Sequence, residues 1–311
     1  MPRWWVKAAI QRGISLLPGR NYWNEWFQEH VTGSVECTES RFESQLKKSR
    51  KHLEYYCTHT SGSRSVPRTV LELGTGWHAV FPVAMFLAGA DEIWTWDIAR
   101  LLKRHRLQQA LNHFLSRAWN NRLSELFPQA RPERVAQLAA VAAGDWSDPY
   151  ALLRQLNVRA LVGDARHSGL PGGAIDLIAS TVVLEYIPRD VLLGLFGEFR
   201  RTASPYGVMS HEVDMIDEYS YFDSSITPFN FLRFSDRAWR LINNPLIPLN
   251  RLRVSDFRKC FREAGFAVVE EAVTRGDPEA LTSIRLAPRF ASYDPSDLLV
   301  IKTWFIARPN A

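Results

Sequence analysis

The stretch Val70-Leu71-Glu72-Leu73-Gly74-Thr75-Gly76 decides the fold. It is a short apolar run that leads directly into a glycine turn, as strands of a buried parallel sheet do. The first glycine permits a tight turn, and the second lets the backbone approach a ligand because it has no Cβ. A second strand-like run, residues 93–96, is followed by Asp97, whose carboxylate can accept hydrogen bonds from both hydroxyls of a ribose. These features predict a nucleotide-binding βαβ unit.

Polar residues also follow the later strand-like runs. The run Leu161-Val162-Gly163-Asp164-Ala165 places an acid after a third strand, and residues 174–180 predict a fourth strand that ends at Ser180. Glu185 and Tyr186 come shortly afterwards. Ligands of parallel α/β sheets bind beyond the carboxyl ends of the strands, so these positions are candidates for a site.

In their order and spacing, these motifs resemble those of the class I S-adenosylmethionine-dependent methyltransferases, and in particular bacterial members whose substrate is uncharacterised. The resemblance covers roughly residues 68–215, and more loosely the chain to residue 308. It implies an α/β fold with a Rossmann-like sheet of seven strands flanked by helices. The last two strands would form an antiparallel pair at one edge of that sheet.

The resemblance also implies a cofactor and the residues that hold it. The cofactor would be S-adenosyl-L-methionine, with the glycine loop under its methionine part, Asp97 at its ribose and the pair Asp164-Ala165 at its adenine. The implied cofactor-binding residues are Glu72, Gly74, Thr75, Gly76, Asp97, Ile98, Asp164, Ala165 and Ser180. The reaction would be an in-line SN2 displacement in which the enzyme mainly positions the two reactants.

Three residues are candidates for a catalytic role. Glu185 and Tyr186 follow the fourth strand, where methyltransferases place residues near the transferred methyl group. His211 lies near the end of the predicted fifth strand, residues 206–213, and an imidazole is suited to remove a proton from a hydroxyl. A structural histidine that hydrogen-bonds to the backbone is an equally good interpretation. His211 with Asp214 and Asp217 lacks a tight metal pattern, and no metal is predicted.

Two other functions remain open. The spacing Gly74-x-Gly76-x-x-Ala79 also fits the loose fingerprint of NAD-dependent oxidoreductases. Glu72, the Asp164-Ala165 pair and the lack of a second βαβαβ half argue against that class. A methyltransferase fold that binds the cofactor without catalysis is the non-enzymatic alternative. For an active enzyme we expect a small-molecule or glycan acceptor with a hydroxyl nucleophile.

The remaining parts of the chain predict additions to this core. Residues 1–67 are expected to form an N-terminal helical extension and residues 68–311 the methyltransferase domain. A helical insertion is expected at about 100–157, after the second strand, and an aromatic segment on the substrate side at about 214–250. Ser40 and Glu43 have the spacing of a capping box at the start of a helix over residues 40–57.

The distribution of charge indicates which classes of binding partner are favoured. The net charge is +5. Basic residues are concentrated in residues 1–20, beside Trp4 and Trp5, and in residues 100–134, which contain eight basic residues and two acidic ones. A solvated helix face is favoured over contact with an anionic membrane surface or with nucleic acid. Arginines of the aromatic segment could bind an anionic substrate: Arg233, Arg237, Arg240, Arg251 and Arg253.

The three cysteines are odd in number and have no metal spacing, so free thiols in a reducing compartment are predicted. The chain has no apolar run of about 18 residues, the minimum for a membrane span. We expect a cytoplasmic protein, or one peripheral to the inner face of the membrane. The sequence carries no signal for a specific nucleic acid or for an oligomeric state.

Overall fold

The computed structural model describes residues 3–15, 35–243 and 248–310. In these ranges seven strands form one sheet in the order β3-β2-β1-β4-β5-β7-β6. The strands are β1 Thr69–Leu73, β2 Glu92–Asp97, β3 Val158–Val162, β4 Ile175–Thr181, β5 Ala203–Asp214, β6 Phe266–Arg275 and β7 Val300–Pro309. Strands β1 to β5 are parallel, and β7 runs antiparallel to both β5 and β6. The predicted fold class is confirmed.

Helices cover both faces of this sheet. Their bounds are α1 Trp4–Ser15, α2 Glu39–His59, α3 Val80–Ala88, α4 Arg104–Trp119, α5 Arg122–Leu126, α6 Pro132–Ala143, α7 Pro149–Gln155, α8 Arg189–Thr202, α9 Asp236–Ile242, α10 Val254–Glu263, α11 Pro278–Thr282 and α12 Pro295–Leu298. One apolar core joins a face of the sheet to α2, α3 and the helices after β2, and a second joins the other face to α8 and α10. In the described part of the chain, no helix is long and apolar enough to cross a membrane.

Helix α3 fixes the position of the glycine loop that precedes it. Every residue of α3 is buried, because the helix is apolar on all sides and lies between the sheet and its neighbours. Gly89 ends the helix with φ +99 and donates its N–H to the last turn, as left-handed glycine caps do. The loop between β1 and α3 is therefore attached at both ends to buried elements.

Helix α2 belongs to the core of the sheet. Phe42 and Leu46 are fully buried in the core it shares with α3. The predicted capping box is wrong: Thr38 is the N-cap and accepts a hydrogen bond from the Arg41 amide at 3.3 Å. Glu43 instead accepts a hydrogen bond from Arg117 of α4 at 3.0 Å.

Helices α4 to α7 occupy the predicted insertion between β2 and β3, and several of their arginines are used inside the protein. Arg117 is buried and forms ion pairs with Glu39 and Glu43 of α2. The guanidinium of Arg106 lies 4.4 Å from the Trp77 ring centroid, and that of Arg134 lies near a ring of α3. Part of the basic stretch is therefore structural.

Three segments form what we call the cap: residues 215–243, 248–253 and 276–299. Since β5 and β6 end and β7 begins at the carboxyl edge of the parallel strands, the cap lies at that edge. It has its own apolar cluster. The predicted aromatic segment falls in the cap, apart from residues 244–247, which lie outside the described residues.

Two arginines proposed as anion ligands are instead buried within the cap. Arg251 donates hydrogen bonds to backbone carbonyls and stacks near Trp239, at 5.0 Å from its ring centroid. Arg253 donates to the carbonyl oxygens of Met215, Leu298 and Val300. Both guanidinium groups hold the cap together and are not free to bind an anionic substrate.

Candidate functional site

The glycine loop opens onto a hollow at the carboxyl edge of the sheet. Gly74 has φ +92 and donates its N–H to the Trp96 carbonyl at 2.7 Å, and a Cβ there would collide with the side chain of Val183. Gly76 has φ +65, but a Cβ there would meet no atom within 4 Å. Gly74 is thus required by packing, whereas Gly76 leaves space next to the backbone. The hollow is lined by Thr75, Gly76, Asp97, Ala99, Leu101, Leu102, Tyr150, Leu161 and Val162.

Glu72 lies beneath this loop as a buried carboxyl group. Its Oε2 accepts a hydrogen bond from the Thr95 hydroxyl at 2.5 Å, and that hydroxyl contacts the Thr75 hydroxyl at 2.6 Å. Burial raises the pKa of Glu72 to about 8; the Thr95 bond opposes this rise and the nearby charge of Asp97 adds to it. At neutral pH, Glu72 is therefore largely protonated.

Asp97 joins the end of β2 to the glycine loop. Its carboxylate accepts hydrogen bonds from the amides of Gly76 at 3.0 Å and Ala99 at 3.2 Å. Burial raises its pKa, and these amides offset part of that rise. Each carboxylate oxygen can accept a further hydrogen bond, so Asp97 can receive hydroxyl donors from the hollow.

Apolar side chains lie exposed at the ends of the neighbouring strands. The side chain of Ile98 is 80 % exposed after β2, and that of Val162 is 45 % exposed at the end of β3. Asp164 pairs with Arg166, which lowers the pKa of the carboxyl to about 2, and Ala165 is buried beside it. A carboxylate for ribose hydroxyls and apolar side chains for a flat base fit the nucleoside part of S-adenosylmethionine.

Ser180 and His211 do not line this hollow. The Ser180 hydroxyl lies 2.7 Å from His211 Nδ1, and both residues are fully buried. The imidazole packs among Phe196, Phe199 and Phe261 under α8 and α10. Burial lowers the pKa of His211 to about 3, so the ring is neutral. His211 lies three residues before the end of β5, with its ring inside the core.

Glu185 and Tyr186 form a short 3₁₀ turn after β4, Leu184–Tyr186. Asn250 of the cap holds this turn from outside, because its side-chain amide donates to the Leu184 and Ile187 carbonyls, each at 2.8 Å. Its backbone amide donates to the Glu185 carbonyl at 2.8 Å. The turn is fixed by three hydrogen bonds from one residue of the cap.

A group of acids surrounds this turn, and we call Glu185, Asp214 and Glu218 the carboxylate cluster. The Glu185 side chain is almost completely buried, and the charges of Asp214 and Glu218 add to the effect of burial in raising its pKa well above its ordinary value. The Tyr186 hydroxyl donates to Glu218, and the Tyr221 hydroxyl donates to Asp214 at 2.7 Å. The cluster therefore lies where β4 and β5 end.

Asp217, the third residue of the set His211, Asp214 and Asp217, has a structural role. It accepts hydrogen bonds from the Asn230 side chain and the Tyr219 amide, both at 2.9 Å, and so caps the turn that follows. In residues 3–15, 35–243 and 248–310, no group of three His, Cys, Asp or Glu side chains is arranged to hold a metal ion.

Several residues of the site were missed from the sequence. Val182, directly after β4, has φ +56, a strained value for a β-branched residue and one of a kind found at functional sites. Nothing in the sequence marks Asn250, since its contacts are distant along the chain. The sequence does carry a signal for Glu218, namely the density of acids after residue 211.

The chain was compared with known proteins. No family model matches it, and no curated protein matches it. Among solved structures, the PH0226 protein from Pyrococcus horikoshii OT3 is similar, with a TM-score of 0.52, 13% identity, and coverage of 91% of this chain and 98% of that one. An S-adenosylmethionine dependent methyltransferase from Mesorhizobium loti gives a TM-score of 0.43 at 16% identity, covering 83% and 96%.

A third similar structure is geranyl diphosphate C-methyltransferase from Streptomyces coelicolor A3(2), in complex with Mg²⁺, geranyl diphosphate and S-adenosyl-L-homocysteine. Its TM-score is 0.44 at 12% identity, with coverage of 87% of this chain and 83% of that one. At such identities the likeness concerns the fold. By its strand order, its antiparallel β7 and its glycine loop, the chain has the fold of the class I S-adenosylmethionine-dependent methyltransferases.

Proposed function

We propose that this protein is an S-adenosylmethionine-dependent methyltransferase that acts on a small-molecule or glycan acceptor. One observation carries the proposal. The glycine loop opens at Gly76 onto a hollow and is hydrogen-bonded there to Asp97, at the carboxyl edge between two parallel strands. That edge is where open α/β sheets bind nucleotides.

Different residues around the hollow contact different parts of the cofactor. Asp97 receives the ribose hydroxyls, Ile98 and Val162 cover the base, and Gly76 leaves room for the rest of the ligand. Glu72 supports the loop from below. Ser180 is better assigned to the core, since its hydroxyl is buried against His211.

The reaction needs little more than positioning and a proton acceptor. When bound, S-adenosylmethionine supplies a methyl group on a sulfonium that is already activated for displacement. The expectation of a hydroxyl nucleophile rested on His211 as base, but its ring is buried and neutral. The carboxylate cluster replaces it, and Glu185 in its ionised form takes up the proton of a hydroxyl or amine acceptor.

The acceptor binds between the Leu184–Tyr186 turn and the cap. The cap encloses the carboxyl edge and α1 packs on it, with the Trp4 ring centroid 5.6 Å from that of Phe234 and 5.9 Å from that of Tyr219. Such a covered edge suits a small molecule or the end of a glycan.

The cofactor site is tested by adding one methyl group to the glycine loop. Gly76→Ala puts a Cβ into the hollow, whereas Gly173→Ala adds one at φ +68 in equally open space before β4, at the opposite edge. Both variants bear the same backbone strain, about 1–2 kcal/mol. We expect Gly76→Ala to weaken binding of S-adenosylhomocysteine at least tenfold, about 1.4 kcal/mol or more, and Gly173→Ala to leave it unchanged.

Calorimetric titration with S-adenosylhomocysteine measures this, with NADH titrated alongside. Equal affinity of the two variants would show that the hollow is not the cofactor site. Binding of NADH alone would assign the loop to an oxidoreductase. Binding of S-adenosylhomocysteine without transfer to any acceptor would favour the non-catalytic scaffold.

A further inference from the structure

The carboxylate cluster contains acceptor oxygens that the protein does not use. Both carboxyl oxygens of Glu185 and Oδ1 of Asp214 are buried and have no hydrogen-bond partner among the described residues. The amides of Glu185 and Asp214 approach the Glu185 carboxyl and oppose the rise of its pKa, but they do not reach hydrogen-bonding geometry. Buried polar atoms are seldom left unpaired, because each costs about 1–3 kcal/mol. These three oxygens can therefore accept hydrogen bonds from a ligand.

The charge around these oxygens is predominantly negative. Glu212 is engaged by Lys48 of α2 at 2.6 Å, and Lys302 of β7 lies 3.8 Å from the same carboxylate. The titratable and charged groups that face the cluster come from α1, the turns and strands β5 and β7: Lys7, Tyr186, Glu212, Asp217, Tyr221 and Lys302. None of them donates to the three unpaired oxygens.

An amino group of this chain already lies at the rim of the cluster. The ammonium of Lys7 on α1 stands 2.9 Å from the ring centroid of Phe222, in a cation–π contact. Burial lowers the pKa of Lys7 to about 8, and the charge of Glu218 opposes part of this fall. At the rim of the cluster, an aromatic face and the charge of Glu218 therefore offset part of the cost of burying an ammonium group.

We infer that the carboxylate cluster is the acceptor site and that the acceptor presents a primary amine to it; this inference rests on the proposed function. A primary ammonium carries three N–H donors and one positive charge, which match three unpaired oxygens in acidic surroundings. A hydroxyl has one donor and would leave two of these oxygens unpaired. The class of substrate is therefore an amine, either a free small molecule or an amino group on a glycan.

The same geometry provides for transfer to that nitrogen. The positive charge of the bound ammonium favours the ionised form of Glu185. The ammonium then gives one proton to that carboxylate, which frees the nitrogen lone pair. The nitrogen then forms the new N–C bond to the methyl group while the C–S bond breaks and sulfur keeps its electron pair. The methylated nitrogen is again positively charged, so charge and atoms balance.

The test compares diamines with diols of the same length. Linear diamines of three to six carbons and the corresponding diols are titrated calorimetrically into the full chain, with and without saturating S-adenosylhomocysteine. We expect at least one diamine to bind at least tenfold more tightly than its diol. Glu185→Gln and, as a second variant, Asp214→Asn should reduce that preference to less than threefold.

The control is Glu54→Gln, which removes an exposed carboxylate of α2 that pairs with Arg50. It should keep the full preference. Equal binding of diamines and diols at every length would overturn the inference, as would an unchanged preference in both cluster variants. Displacement of bound diamine by Mg²⁺ at micromolar concentration would also overturn it in favour of a metal. Binding of S-adenosylhomocysteine is read in the same titrations, so failure of the cofactor proposal is seen separately.

Discussion

Glu72 shows how a single residue of the site affects the stability of the whole protein. It is buried beneath the glycine loop, and its main hydrogen-bond donor is the Thr95 hydroxyl. Burial disfavours the charged carboxylate, which is why the pKa rises from its ordinary value of 4.5 to about 8. The unfolded chain lacks this constraint and ionises at the ordinary value.

This difference makes stability depend on pH with a defined sign. Between pH 4.5 and pH 8 the folded protein holds a proton on Glu72 that the unfolded chain releases, so stability falls as pH rises. The slope from one such group is at most about 1.4 kcal/mol per pH unit. We expect Glu72→Gln to remove this slope, so that the variant gains stability over the wild type between pH 5.5 and pH 8. Urea denaturation at several pH values measures the difference, and parallel curves for the two proteins would contradict it.

The glycine loop and His211 show which residues can be assigned to the site from the sequence alone and which cannot. Gly74, Gly76 and Asp97 follow from local chain geometry, since a strand, a turn and a terminal acid are neighbours in sequence. The position of His211 depends on how far β5 extends and which face each residue occupies. Strand β5 continues to Asp214, so His211 faces α8 inside the core while Ser210 faces His52 of α2. One residue of alternation separates these two environments.

At the scale of elements, the turn after β4 is held by the cap rather than by its own sequence. Val182 enters the turn with φ +56, and its amide donates to the Glu212 carbonyl at 2.9 Å. Asn250 then fixes the following residues: its side-chain amide donates to two of their carbonyls, and its backbone amide donates to a third. Glu185 is thereby presented in one orientation, which makes Asn250 a positioning residue for the carboxylate cluster.

Asn250→Ala separates this positioning from general stability. The substitution leaves the Ile187 carbonyl without a donor and removes one of the two donors to the Leu184 carbonyl, which should cost about 1–3 kcal/mol. Asn243→Ala is the matched control, because the Asn243 side chain also makes two hydrogen bonds, both to the backbone of Leu249. We expect similar losses of stability in the two variants, with weaker diamine binding only in Asn250→Ala. Equal diamine affinities, measured calorimetrically, would remove the positioning role.

At the scale of the whole molecule, the sequence indicates where the cap begins but not how its three segments pack together. The aromatic segment marked its first piece, yet its apolar cluster combines residues from all three segments, including Phe229, Leu249 and Phe290. The third segment is separated from the first two by α10 and β6, so no local pattern joins it to them. The sheet, in contrast, follows from successive strand signals. Contacts between distant segments therefore set the limit of the prediction.

Arg253 connects the cap to the sheet, and its replacement tests whether the two behave as one unit. Its guanidinium is fully buried and donates to carbonyls at the end of β5, in the cap and at the start of β7. Arg253→Met fills similar space but leaves three buried carbonyls without donors, so we expect a loss of about 3–5 kcal/mol in the free energy of unfolding. The exposed Arg285→Met should lose less than about 0.5 kcal/mol.

Denaturant unfolding followed by both far-ultraviolet circular dichroism and tryptophan fluorescence measures this loss of stability. Coincident curves at reduced stability are expected, because the cap shares its hydrogen bonds with β5 and β7. An early fluorescence transition with an unchanged sheet transition would show instead that the cap unfolds independently.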